Sequence, residues 1–229
     1  MTEASAPLFA WPTPTLGRRI PKEKFYEHSA DARKLKDGFV REVGRVTWAH
    51  RLDSGSVKLD ATEAVPEILI LEVEAKDEED VSTEVLTAID KAIPHPIVFE
   101  ISRNKGEEAE IRMAAVLCAS GPRSKERRVY STPWVEAASD RQGLPAAVTL
   151  EILYLRVLAE IVQIPTQVGE LLGEYEGRVA DIERYTRERE LLDRRIRGEK
   201  QFKRRVELNR KKKIIEARLD NLLGSQTSR

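Results

Sequence analysis

Cysteine is almost missing from this chain, which has one, Cys118. No internal disulfide can form, so a small disulfide-stapled fold is excluded. Cys118 ends the apolar run Met113-Ala-Ala-Val-Leu-Cys118, with no lysine or histidine beside it. A buried small hydrophobe is therefore expected there rather than a reactive thiolate. Histidine is also scarce: His28, His50 and His95 stand far apart, which argues against a structural zinc site. Long apolar runs are missing too. None approaches the roughly 18 residues of a membrane span. No basic stretch followed by an apolar one opens the chain, so a soluble cytoplasmic protein is expected. There is no glycine-rich phosphate loop, no Gly-x-Ser-x-Gly and no Cys-x-x-Cys.

Charge is abundant instead. Charged residues make up 34% of the 229, above the usual quarter, yet the formal net charge is zero. The balance conceals a strong segregation. Between Arg194 and Lys213 there are eleven Lys/Arg and two Asp/Glu, a local charge of +9. The first 193 residues carry the compensating negative charge. Such segregation bears on partners in a way that net charge does not.

Along the chain, residues 1–20 read as an extended arm interrupted by Pro7, Pro12, Pro14 and Gly17, with Phe9 and Trp11 available to dock it. Pro21 suits a first helical position, and Lys22 to Val43 is expected to be helical, with Leu35, Phe39 and Val43 on one face. Arg45 to His50 and Ser56 to Asp60 flank the turn signal Asp53-Ser-Gly55, which predicts a short hairpin. Glu67-Ile-Leu-Ile-Leu-Glu-Val-Glu74 starts as a strand buried on both faces and then alternates. Acidic residues 77–80 open an amphipathic helix that Pro94 stops. Strands follow at Ile97 to Ile101, Glu110 to Cys118 and Arg128 to Thr132, with Trp48 and Trp134 assigned to the core. Ser139 to Pro145 reads as a polar linker, and Thr149 to Ile164 as a buried helix ended by Pro165.

These elements predict an α+β domain, a mixed sheet with packed helices, over 21–165. A charged helical tail follows over 166–229. Leu172, Tyr175, Val179 and Ile182 keep a coiled-coil rhythm that Thr186 and Arg189 interrupt and Leu192 and Ile196 resume. After Gly198 the seam restarts in another phase at Leu208, Ile215, Leu219 and Leu222. Either a helical hairpin or one interrupted coiled coil fits; the glycine and the phase change favour the hairpin.

Four blocks carry a family likeness: Ile20-Pro-Lys-Glu-Lys-Phe-Tyr26, Ile89-Asp-Lys-Ala-Ile-Pro-His-Pro-Ile-Val-Phe99, Tyr130-Ser-Thr-Pro-Trp134 and Glu199-Lys-Gln-Phe-Lys-Arg-Arg-Val-Glu-Leu-Asn209. In this order they resemble the bacterial family called domain of unknown function 4391, over nearly the whole chain. That family has no established activity, so the resemblance implies no catalytic residues. Its members are often encoded near helicase and DNA-methyltransferase genes in restriction and phage-defence neighbourhoods. The resemblance thus implies work beside a DNA-handling enzyme, by association only.

Two constellations carry chemistry. The first is the basic stretch Arg194, Arg195, Arg197, Lys200, Lys203, Arg204, Arg205, Arg210, Lys211, Lys212 and Lys213. Such residues neutralise phosphates and release counterions, and arginine forks onto phosphate oxygens. The competing uses are a solvated helix face and a surface that docks on a protein. Phe202 is the one aromatic in the stretch, which gives base stacking little support. The second is Glu74-Ala-Lys76 at a strand end with Asp60 upstream, the pattern of a restriction-type nuclease. Two carboxylates there would hold Mg²⁺ and the lysine would steady the attacking water. The expectation is a non-enzymatic accessory protein without cofactor, whose tail binds a partner such as a helicase or methyltransferase, or a DNA backbone. The alternatives are the Mg²⁺-dependent nuclease and a scaffold that self-associates through the tail seam.

Overall fold

An apolar run such as Ile68–Leu71 must be covered on both faces, and the fold is organised around that demand. The computed structural model describes residues 8–12, 16–27, 31–76, 79–106, 108–118 and 126–224. The chain divides into two compact units: Met1–Leu117 with Arg127–Gln163, and Cys118–Glu126 with Ile164–Arg229.

The first unit is α+β. Its strands are β1 (Leu8–Phe9), β2 (Arg18–Arg19), β3 (Val43–Leu52), β4 (Ile68–Ala75), β5 (Ile97–Lys105), β6 (Glu108–Cys118), β7 (Arg127–Ser131), β8 (Val135–Glu136) and β9 (Arg141–Gln142). Its helices are α1 (Glu23–Tyr26), α2 (Ala32–Glu42), α3 (Ser54–Val57), α4 (Thr83–Ala92) and α5 (Leu150–Val162). The main sheet runs β2-β3-β4-β5-β6-β7, with β8 also on β6. It is mixed: β3 and β4 are antiparallel, β4 and β5 parallel through the α4 crossover, β5 and β6 antiparallel.

Alternation along β4 sorts the two faces. Leu69, Leu71 and Val73 pack with Phe39 of α2 and with Val85, Leu86 and Ile89 of α4. Ile68 and Ile70 point the other way and are buried as well. α5 belongs to this unit as well, with Leu150, Leu153, Leu155, Val157, Leu158 and Ile161 all buried. Its Tyr154 hydroxyl donates to Ile97 O at 3.3 Å. From Glu72 onward one face of β4 is exposed, as the alternating sequence predicts.

Several expected elements differ. Residues 53–57 form no hairpin turn. Asp53 accepts from Ser56 N at 2.9 Å while Ser56 Oγ accepts from Asp53 N at 2.8 Å, a capping box that nucleates α3. β3 therefore pairs with β4, not with 56–60. The single helix expected over 22–43 is two, α1 and α2; His28 lies outside the described residues, as does the start of the basic loop at 121–122. Cys118 is half-buried rather than buried. Trp48 and Trp134 are partly buried against the core, and Trp134 also faces the guanidinium carbons of Arg103 and Arg112 at 4.1 and 5.0 Å. The polar segment 139–145 contains β9, which pairs in parallel with β1. From it Arg141 forks onto the buried Glu100 at 2.7 and 3.0 Å, and Trp11 Nε1 donates to the same carboxylate at 2.8 Å. Breaking a buried pair of this kind typically costs about 3–5 kcal/mol.

The second unit is an antiparallel helical hairpin, α6 (Leu172–Gly198) and α7 (Phe202–Leu222). Ile182, Leu192, Ile215 and Leu219 are buried between them, joined by Tyr185, Ile196, Leu208 and Leu222. Thr186 and Arg189 occupy the weak part of the seam and are half-buried. The open end of the hairpin is closed by Arg178. Its guanidinium bonds Glu170 at 2.5 and 2.7 Å, Pro165 O at 2.8 Å and Leu222 O at 3.1 Å. The last of these occupies a carbonyl at the C-terminus of α7, where a cation also suits the helix dipole.

Two measurements check these contacts. Burial pushes the Glu42 carboxyl up, but hydrogen bonds from Ser82 and the Arg41 guanidinium outweigh it and hold it below its ordinary value. A lowered carboxyl stabilises the fold fully above the unfolded pKa, about 4.3, and loses that contribution as pH falls through the folded value. Urea titrations should therefore show Glu42→Gln weaker than the parent at pH 7, with the gap closing below roughly pH 4. Arg178→Ala leaves the Glu170 carboxylate buried and unpaired, at a cost on the order of 3 kcal/mol. Hydrogen exchange should then accelerate at the C-terminal turn of α7 and near Pro165, and not in β4 or β5.

Candidate nucleic-acid interface

The hairpin reverses over three residues. α6 ends at Gly198, and Glu199 and Gln201 adopt extended backbone angles, with φ −81° and −83°. Glu199 accepts from Gln201 N at 2.8 Å through Oε1, which fixes the reversal locally. Gly198 supplies low helix propensity rather than a left-handed turn, because its φ is not positive.

The basic residues gather around this reversal. Arg194, Arg195 and Arg197 lie on the last turns of α6, Lys200 in the turn, Lys203, Arg204 and Arg205 on the first turn of α7, and Arg210 to Lys213 further along it. At 1.5 Å per residue the whole set falls within about 20 Å of the tip. Ten of the eleven are exposed; Lys212 is half-buried. Lys212 is also the one ion-paired member among the described residues, 2.6 Å from Asp193 and 3.6 Å from Glu216. Its hydrogen bond to Asp193 raises the Lys212 ammonium and lowers the Asp193 carboxyl. Lys212 therefore bridges the two helices, and the other ten remain available. Arg195, Arg204 and Lys211 also line a shallow hollow of about 410 Å³ with Gly198, Glu199, Glu207 and Leu208.

Several arginines elsewhere are ion-paired. Arg45 meets Glu74 at 3.1 Å, Arg103 meets Glu110 at 2.7 Å, Arg112 meets Asp80 at 2.6 Å and Arg127 meets Asp90 at 3.2 Å. Lower on α6, Arg184 pairs with Asp181 and Arg187 with Glu183. The tip also runs against the helix dipole. The first turn of α7 carries three cations, no acidic residue and no side-chain cap at Gln201. The positive end of a helix favours anions, so Lys203, Arg204 and Arg205 leave an electrostatic deficit that an external anion relieves.

The nuclease constellation is not assembled. Asp60 pairs through its backbone with Thr149, and its carbonyl accepts from Leu150 N at 2.9 Å, at the start of α5. Glu74 lies near the far end of β4 from Ile68. There it pairs with Arg45. Lys76 Nζ donates to Val40 O at 3.3 Å and, with Lys22 on Phe39 O and Val43 O, satisfies carbonyls at the end of α2. The strand-end lysine is a helix-terminus contact, a use that Glu-x-Lys spacing does not distinguish from catalysis. Among the described residues no group of three or more His, Cys, Asp or Glu could hold a metal ion.

The other large concavity, about 1090 Å³, lies between α2 and α4. The Glu42 carboxylate on its wall is already occupied by Ser82 N at 2.9 Å and Arg41 at 2.5 Å. His95, which lies between Pro94 and Pro96, is 3.7 Å from Glu67. The tail seam, which under the scaffold alternative would join two chains, packs α6 against α7 of the same chain. Arg178 escaped sequence reasoning. Its only signal was a charge beside Val179 on the apolar face of α6, with Glu170 two turns earlier. No helix among the described residues is long and apolar enough to cross a membrane.

No curated protein and no solved structure matches the chain. The family described as "Domain of unknown function (DUF4391)" matches residues 9–219, which is most of the chain, and the protein belongs to that family.

Proposed function

We propose that this protein is a non-enzymatic accessory factor of a DNA-handling system, and that the α6–α7 tip is its contact with a nucleic-acid backbone. The observation that carries the reading is the pairing pattern. Several arginines of the first unit and of lower α6 are ion-paired at short range, whereas ten exposed cations cluster around residues 198–201 with no ion-pair partner among the described residues. Lys203, Arg204 and Arg205 further crowd the positive end of α7. A row of phosphates supplies the missing negative charge and gains entropy by releasing counterions. The enzyme it accompanies, a helicase or methyltransferase, follows from the family's setting alone. The Mg²⁺-dependent alternative is less favoured, because Glu74 pairs with Arg45, Lys76 donates to Val40 O and the backbone of Asp60 pairs with Thr149.

The salt dependence of binding tests this. Fluorescence anisotropy with a labelled DNA duplex should give log Kobs falling linearly with log salt. Replacing Lys200, Lys203, Arg204, Arg205 and Arg210 together by glutamine should cut the slope by up to about 0.9 per contact removed and weaken binding at least tenfold at low salt. Equal affinity and equal slope for the two proteins would remove the proposal.

A further inference from the structure

The feature that backbone contact leaves unexplained is Phe202. It is the first residue of α7 and is 71% exposed, among the large hydrophobic side chains that stand most open to solvent. The hairpin seam does not use it: Leu208, Ile215, Leu219 and Leu222 point to α6, and helical spacing turns Phe202 about a third of a turn away from them. Val206, one turn on, is 51% exposed on the same outer side. Lys200, Lys203, Arg204 and Arg205 surround this aromatic in the chain, and all four are exposed. An open ring ringed by unpaired cations is the composition that grips unpaired bases, with the base on the ring and its flanking phosphates on the cations.

The surroundings argue against the other occupants. An interfacial membrane helix needs a wide apolar face opposite its charges. The outer side of α7 instead mixes Phe202 and Val206 with Arg210 and Lys213, and Ile214 lies off to one flank. A protein-binding anchor normally sits in a patch depleted of lysine. Here lysine and arginine border it on both sides in sequence. Charge complementarity therefore selects a polyanion, and the aromatic selects one with bases exposed.

We propose that the hairpin tip prefers single-stranded or locally unpaired nucleic acid, with Phe202 as the stacking residue. The inference rests on the backbone-contact reading and adds the substrate class. The test uses the full chain and its Phe202→Ala and Phe202→Trp variants. Anisotropy is read at one salt concentration with a labelled oligothymidine and with a duplex of equal length, and sedimentation with phosphatidylserine vesicles runs in parallel. Phe202 is outside the packed seam and alanine is the better helix former, so the alanine variant should retain its helicity by circular dichroism.

The expected result is tighter binding to the single strand than to the duplex. Phe202→Ala should lose roughly 5- to 140-fold on the single strand, from about 1–3 kcal/mol per stacked base, and little on the duplex. Phe202→Trp should restore the preference, with its added emission quenched by oligothymidine. If Phe202→Ala equals the parent on both nucleic acids, the stacking inference falls and backbone contact stands. If the parent binds neither nucleic acid at low salt, both fall. Vesicle binding that depends on Phe202, without a single-strand preference, would assign the tip to a membrane surface and overturn the inference.

Discussion

A charge taken out of water must be paired, because an isolated buried ion is destabilising by several kcal/mol. That constraint sorts the charged residues of this chain. Glu100 is sealed into the first unit and held by Arg141 and Trp11. Glu42 is sealed beside α2 and held by Ser82 and Arg41. Arg178 and Glu170 are sealed at the base of the hairpin and hold each other. On α6 and α7 the densest group of exposed cations without ion pairs among the described residues is at the tip.

The hairpin turns this sorting into a directed surface. Its apolar seam runs from Ile182 and Leu219 up to Leu192 and Ile215, and Lys212 extends the joint between helices by pairing with Asp193. Arg178 anchors the far end of α7 through Leu222 O. Apart from Lys212, none of the tip cations is ion-paired within the hairpin among the described residues. They face outward together with Phe202. The arrangement leaves the first turn of α7 electrostatically unfavourable on its own, which is the expected state of a surface completed by an anionic partner.

Much of this was legible in the sequence where local pattern decides the outcome. The run Ile68–Leu71 followed by Glu72, Val73 and Glu74 announced a strand covered on both faces and then on one. The change of phase after Gly198 announced two helices rather than one. What was not legible depends on partners distant in sequence. Arg141 sits in a segment that reads as a polar linker, yet it neutralises Glu100 forty-one residues earlier. Asp60 and Lys76 read as parts of one site, yet long-range pairing sends Asp60 to Thr149 and Lys76 to Val40. The hairpin predicted at Asp53 failed for a local reason, since Asp53 and Ser56 prefer to bond each other's backbone. The exposure of Phe202 could not be read from composition, because an aromatic near a seam is ordinarily part of it.

The central claim is that α7 folds back on α6 and so gathers the cations at one tip. Pulsed electron resonance measures this directly. Nitroxides would be attached through Arg187→Cys and Ala217→Cys, both exposed sites, in a Cys118→Ser background diluted with unlabelled protein. A hairpin brings the two helix axes within about 10 Å, so the labels should lie within roughly 25 Å of each other. A distribution centred near 45 Å, the length of about thirty residues of continuous helix, would contradict the account.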